Sequence, residues 1–130
     1  MKAVRFSQFG GPEVLEIVDL RDLHPGPGQV RIVVRAAGVN PSDWKKREGL
    51  MDQELPQRMG YEAAGVVDEV GEGVVDASVG DRAFGFTAEE GAQAELAVLP
   101  TMRRSRRRLT SPALPRCRPP SKRPRARLTS

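Results

Sequence analysis

Cysteine is almost missing from this 130-residue chain: Cys117 stands alone. That excludes an intrachain disulfide, and nothing near it has metal-ligand spacing, so it reads as a bystander thiol. Aromatic residues are scarce, at 5%, and every Phe, Trp and Tyr lies at or before Phe86. Residues 101 to 130 contain no acidic side chain at all. No run of about 18 apolar residues exists to span a bilayer. The opening MKAVRFSQFGGPEVLEI lacks the continuous apolar stretch of a secretory signal. No membrane insertion is therefore expected, and the cytoplasm is the expected location.

What is present divides at about residue 100. Residues 1 to 100 carry 10 Lys and Arg against 17 Asp and Glu, a net of −7, whereas residues 101 to 130 carry 11 basic residues, a net of +11. The overall +4 describes neither part. The first part is long enough for one domain with its own core. The second holds five prolines and no aromatic residue. It cannot bury enough apolar surface to offset a backbone ordering cost of about 1–2 kcal/mol per residue, which predicts a disordered basic tail.

Residues 1 to 100 read as short strands punctuated by glycine and proline, the pattern of a mainly β barrel or sandwich. KAVRFSQFG and EVLEIVDLR alternate apolar and polar positions, and QVRIVVRAAGV has the β-branched density of a buried strand. HPGPGQ fixes a turn before that third strand. NPSDWKKREG predicts a short helix from about Pro41 to Gly49. EAAGVVDEVG, DRAFGF and GAQAELAVL complete six expected strands around one helix. Within the fourth strand, Ala63, Ala64 and Gly65 keep one face thin enough for another backbone or a ligand to approach. Gly71 and Gly73 then turn the chain, and Asp81 is placed to accept backbone N–H bonds in the next turn.

Four stretches, MKAVRFSQFGGPEVLEI, PGPGQVRIVVRAAGVNPSDW, GYEAAGVVDEVGEGV and VGDRAFGF, together resemble the medium-chain dehydrogenase/reductase superfamily, within it the zinc-independent quinone reductases. The resemblance covers residues 1 to about 100. It implies a GroES-like catalytic domain, a partly open β-barrel that in complete members lies against a separate nucleotide-binding Rossmann domain, with NADPH in the cleft between them. The expectation is that residues 1 to 100 are an incomplete form of that catalytic domain and that the Rossmann domain is absent.

Zinc-dependent members of the superfamily place a Cys in the segment matching AAGVNPSD and a His directly after the Gly of GYEAAG, because a catalytic zinc takes three protein ligands. Those slots hold Asn40 and Tyr61 here. Neither an amide nor a neutral phenol is a competent zinc ligand, and the only histidine, His24, lies in the turn before the third strand. No metal is expected. In the zinc-free branch, hydride passes to an electron-poor substrate such as a quinone or enone, whose conjugation spreads the developing charge.

The resemblance puts Asn40 and Tyr61 beside the cofactor and a small-molecule substrate, with Asp43 and Trp44 as further cofactor contacts. For Asn40 the alternative is a turn residue before Pro41, and for Tyr61 a packing role in the space of the lost metal. A capping role for Asp43 and a helix-anchoring role for Trp44 read as the simpler assignments. Lys45, Lys46 and Arg47 read most simply as a solvated helix face, although basic groups beside such a cleft would attract phosphate. GEGVVD begins like a dinucleotide fingerprint, but the pattern fails at Asp76 and no helix pattern follows.

The tail does not resemble the family. Back-translating Met102 to Pro124 and regrouping each codon's third base with the next codon's first two permits APIPATSDLAGAAALPAAEQTA. Complete members continue with a segment like APIPDGLDFAEAAALPVAAETA, so a frameshift near residue 101 accounts for the tail. The implied function is a fragment of an NADPH-dependent, zinc-free oxidoreductase, inactive as it stands and dimeric only at full length. The competing reading is salt-sensitive, sequence-blind attraction of RRSRRR and KRPRAR to nucleic acid or another anionic surface. No specific nucleic-acid partner is expected, since no aromatic is interleaved to stack bases. A stand-alone GroES-like scaffold has no positive feature in its favour.

Overall fold

The computed structural model describes residues 1 to 89 and 91 to 100. The tail, with its expected disorder and charge, lies outside the described residues.

Among the described residues, seven strands, one α-helix and one 3-10 turn follow in the order β1 (Lys2–Phe6), the 3-10 turn (Pro12–Val14), β2 (Glu16–Asp19), β3 (Gln29–Ala37), α1 (Pro41–Arg47), β4 (Gln57–Arg58), β5 (Glu62–Val70), β6 (Arg82–Phe86) and β7 (Leu96–Pro100). The mainly β expectation holds. The expected second strand begins later than its alternation suggests: Pro12 locks φ where Gly10 and Gly11 free the chain to turn, and the 3-10 turn forms first. The sequence reading missed β4, whose two residues are too few to show a period.

The strands make two antiparallel sheets, β2-β1-β4 and β6-β5-β3-β7. They are stitched together where the chain before β7 runs past β1: Val4 N–H donates to the Gln93 carbonyl at 2.9 Å, and Gln93 N–H to the Met59 carbonyl at 3.0 Å. The result is half of a barrel wall. Among the described residues, no helix is long and apolar enough to cross a membrane.

Alternation builds the main core. Val30 and Ile32 of β3, Ala63 and Val67 of β5, and Ala97 and Leu99 of β7 share one face and are buried with Ala92. Burying each larger side chain is worth about 1.5–3 kcal/mol. A smaller cluster, Phe6, Val14 and Met59, closes under the first sheet, with Phe9 tilted against Phe6 at 6.3 Å.

The thin face expected on β5 meets a backbone. A Cβ at Gly65 would collide with the Val33 carbonyl, and the β3–β5 register shifts between Val34 and Ala36 beside it. At the far end of the same pair, Arg31 donates to Asp68 at 2.8 and 3.0 Å. That carboxylate holds the guanidinium above its ordinary pKa. Asp81 accepts from the Ser78 N–H at 2.9 Å, as its turn position suggested.

Candidate active site at the β3–α1 and β4–β5 turns

Two turns leave the same end of the main sheet. Ala37 of β3 pairs with Ala63 of β5, and the ladder continues one step further, with Gly38 N–H donating to the Glu62 carbonyl at 3.0 Å. The residues immediately beyond, Asn40 on one chain and Tyr61 on the other, are therefore brought to one place by register. Their sequence separation hides this.

Asn40 stands at the N-terminus of α1 with extended backbone, which lets Pro41 open the helix with its φ already set. The Asn40 N–H donates to the Asp43 carboxylate at 2.8 Å, and the Asn40 carbonyl accepts from the Asp43 N–H at 2.9 Å. Asp43 thus does cap the helix, buried, with one carboxylate oxygen (Oδ1) enclosed and without a partner. The Asn40 side chain turns across to β5: its Nδ2 donates to Glu62 Oε1 at 3.1 Å. An ionised carboxylate only accepts, so this contact fixes the orientation of the amide.

Tyr61 is held through its backbone. Its carbonyl accepts from Thr87 N–H at 2.8 Å and from Thr87 Oγ1 at 3.2 Å, while Gly60 before it adopts φ +91°, a conformation glycine tolerates best. The Tyr61 ring is covered by Lys46, whose ammonium lies 5.0 Å from the ring centroid. Lys46 Nζ also donates to the Arg58 carbonyl at 2.6 Å.

This geometry corrects the reading of Lys45 to Arg47 as a solvated face. Lys46 is only 1% exposed and Arg47 is buried, its Nη1 donating to the Gly10 carbonyl at 3.0 Å; of the three, only Lys45 faces solvent. Helix phase explains it. Asp43 turns inward to cap, and residues three and four further on share its face. Trp44 consequently lies on the outer side, 44% exposed, with Lys45 Nζ 5.8 Å from its ring centroid, and does not anchor the helix.

The structure thus gathers Asn40, Asp43 and Tyr61 in one neighbourhood and leaves Trp44 on the outer surface of the same helix. It adds Glu62, which the sequence reading passed over, and Lys46, which that reading put on a solvated face. Lys46 was within reach from helix spacing, whereas the Asn40–Glu62 contact needed the strand register. A pocket lined by Leu23, His24, Gln29, Thr87, Glu89 and Val98 among others contains none of the four expected site residues.

A mainly β half-barrel with a single short helix is the architecture of the GroES-like domain of the medium-chain dehydrogenase/reductase superfamily, to which the chain belongs. The sequence profile of the alcohol dehydrogenase GroES-like domain matches residues 26–104, well over half of the chain, and places it in that family. A quinone oxidoreductase of Pseudomonas aeruginosa is 44% identical over 99 residues, covering 75% of this chain and 30% of the relative. The human quinone oxidoreductase is 40% identical over 101 residues, covering 75% and 31%. Among solved structures, Escherichia coli quinone oxidoreductase complexed with NADPH superposes with a TM-score of 0.70 at 33% identity, covering 77% of this chain and 31% of that one. The chain spans about a third of the length of these relatives.

Proposed function

We propose that residues 1 to 100 are the catalytic-domain portion of an NADPH-dependent oxidoreductase that reduces a quinone, an enone or a similarly conjugated carbonyl without a metal. The observation that carries this reading is the convergence of Asn40 with the Tyr61–Glu62 turn, closed by the 3.1 Å Asn40–Glu62 contact. The likeness to quinone oxidoreductases supports the substrate class.

The donor set does not suit a catalytic zinc, because an amide and a phenol stand where thiolate and imidazole would be needed. It does suit the polar end of a nicotinamide. Asn40 and Tyr61 offer hydrogen-bonding groups, and the enclosed, unpartnered Asp43 Oδ1 is an acceptor in the same neighbourhood. Among the described residues, no strand, glycine loop and helix combine into a phosphate cradle. Bound NADPH would supply the hydride. The work of this chain is then to orient and to stabilise: Asn40, its amide set by Glu62, lines the reacting face, and the Tyr61 hydroxyl donates to the substrate oxygen on which negative charge develops.

The test uses the protein encoded when the reading frame is restored at codon 101. NADPH oxidation should depend on quinone, and Tyr61→Phe should lower kcat by roughly 10- to 100-fold with little change in KM. Unchanged kcat in that variant would reduce Tyr61 to a packing residue.

A further inference from the structure

We propose that Gly38 and Glu62 act together as the positioning device for Asn40: the Glu62 carboxylate reaches the Asn40 amide across the gap left by the missing Gly38 side chain, and holds that amide in one sense toward the ligand. The inference rests on the reading of Asn40 as a residue that lines the reacting face. It adds Gly38 as the residue that admits the carboxylate, and a polarity for the ligand.

Register brings the three residues together. Gly38 lies one step beyond the Ala37–Ala63 pair, its N–H on the Glu62 carbonyl at 3.0 Å, so the Glu62 side chain leaves β5 directly opposite the glycine. It then runs over it. A Cβ built at Gly38 would collide with Glu62 Oε1, Cγ and Cδ, the three atoms nearest to it. The same Oε1 accepts from Asn40 Nδ2 at 3.1 Å. The oxygen that orients the amide is therefore one that any side chain at position 38 would displace.

The backbone itself does not demand glycine here, because Gly38 is not among the glycines with left-handed φ. Alanine can adopt its conformation, and what alanine meets is the far end of a flexible side chain. Gly65 differs, since its Cβ would meet the Val33 carbonyl. The requirement at position 38 is thus for room beside Asn40 and not for the fold.

An amide free to turn can present either its carbonyl or its amino group, and the two have opposite polarity. With one Nδ2 hydrogen on a carboxylate that only accepts, the ambiguity is removed and the second hydrogen is left to donate. A carbonyl oxygen is the acceptor that a quinone, an enone and a nicotinamide carboxamide share. The ligand group that fits Asn40 is accordingly a carbonyl oxygen.

Asn40 is the only asparagine in the chain, so selective ¹⁵N labelling of asparagine gives one side-chain amide to observe. The experiment is nuclear magnetic resonance of the full 130-residue chain, reading the hydrogen-exchange rate of that amide in the wild type, Glu62→Ala, Glu62→Gln and Gly38→Ala, with circular dichroism as the check on folding. Glu62→Ala and Gly38→Ala should each speed exchange roughly tenfold, the loss of one charge-assisted hydrogen bond. The double variant should exchange no faster than either, because both remove the same contact. Glu62→Gln, which keeps an acceptor, should recover most of the protection. Unchanged exchange in folded Glu62→Ala or folded Gly38→Ala overturns the proposal, and either variant decides it if the other does not fold.

The same variants of the frame-restored protein test the consequence for turnover. Glu62→Ala and Gly38→Ala should lower kcat for quinone-dependent NADPH oxidation roughly tenfold, with Glu62→Gln regaining most of the loss. Equal rates throughout would overturn the positioning role. A parent protein with no such activity would instead remove the quinone-reductase reading, and the exchange measurement, which involves neither quinone nor nicotinamide, would still decide whether Gly38 and Glu62 hold the amide.

Discussion

Gly65 shows how one residue decides how closely two strands can lie. Its missing side chain is the space occupied by the Val33 carbonyl, whereas nothing lies within 4 Å of a Cβ built at Gly85 in the edge strand. Gly65→Val should therefore cost about 2 kcal/mol or more, and Gly85→Ala should stay within about 0.5 kcal/mol, as read by urea denaturation. Ile32→Ala should cost about 2–4 kcal/mol, since Ile32 is fully enclosed, while exposed Ile17→Ala should change little. At this scale the sequence was partly legible. The run Ala63-Ala64-Gly65 announced a close approach, and the turn role of Asp81 followed from its neighbours. The roles proposed for Asn40 and Tyr61 came from the slots they fill in a family pattern, because an isolated amide and an isolated phenol have no periodicity to betray them.

Among the elements, α1 is short and depends on its ends. Seven residues are too few for an isolated helix to persist, so the Asp43 cap and the Arg47 bond to Gly10 carry it. Asp43→Ala should lower stability by about 1 kcal/mol in the same denaturation assay, with Ser42→Ala within about 0.5 kcal/mol as its control. The helix was readable from Asn40, Pro41 and Gly49. Its buried face was misread because lysine and arginine are ordinarily solvated, and only the inward turn of Asp43 sets the phase. β6 presents the opposite case: Phe84 and Phe86 share one side of an edge strand and are 72% and 62% exposed. Such a strand invites association with another chain. Changing both to serine should leave the denaturation midpoint nearly unmoved while abolishing concentration-dependent light scattering. Persistent scattering would place the sticky surface elsewhere. β4 escaped notice for a plain reason: two bridging residues give no pattern.

At the level of the molecule, the described residues form half a barrel wall, and the proposed function needs a second wall to close a cofactor cleft. The 130-residue chain should accordingly show no measurable NADPH binding in a fluorescence titration, whereas the frame-restored protein should bind it. Tight binding by the short chain would show that the second wall is dispensable. Sequencing the DNA across codons 98 to 104 tests the proposed frameshift itself, and an unambiguous open frame with no family-like protein in the adjacent register would refute it. The central claim is that an amide and a phenol serve here in place of a metal. It is tested most directly by following quinone-dependent NADPH oxidation by the frame-restored protein in excess chelator, with the metal content of the same sample determined. The account predicts an unchanged rate and zinc far below one ion per chain; one firmly bound zinc per chain, with turnover lost on chelation, would contradict it.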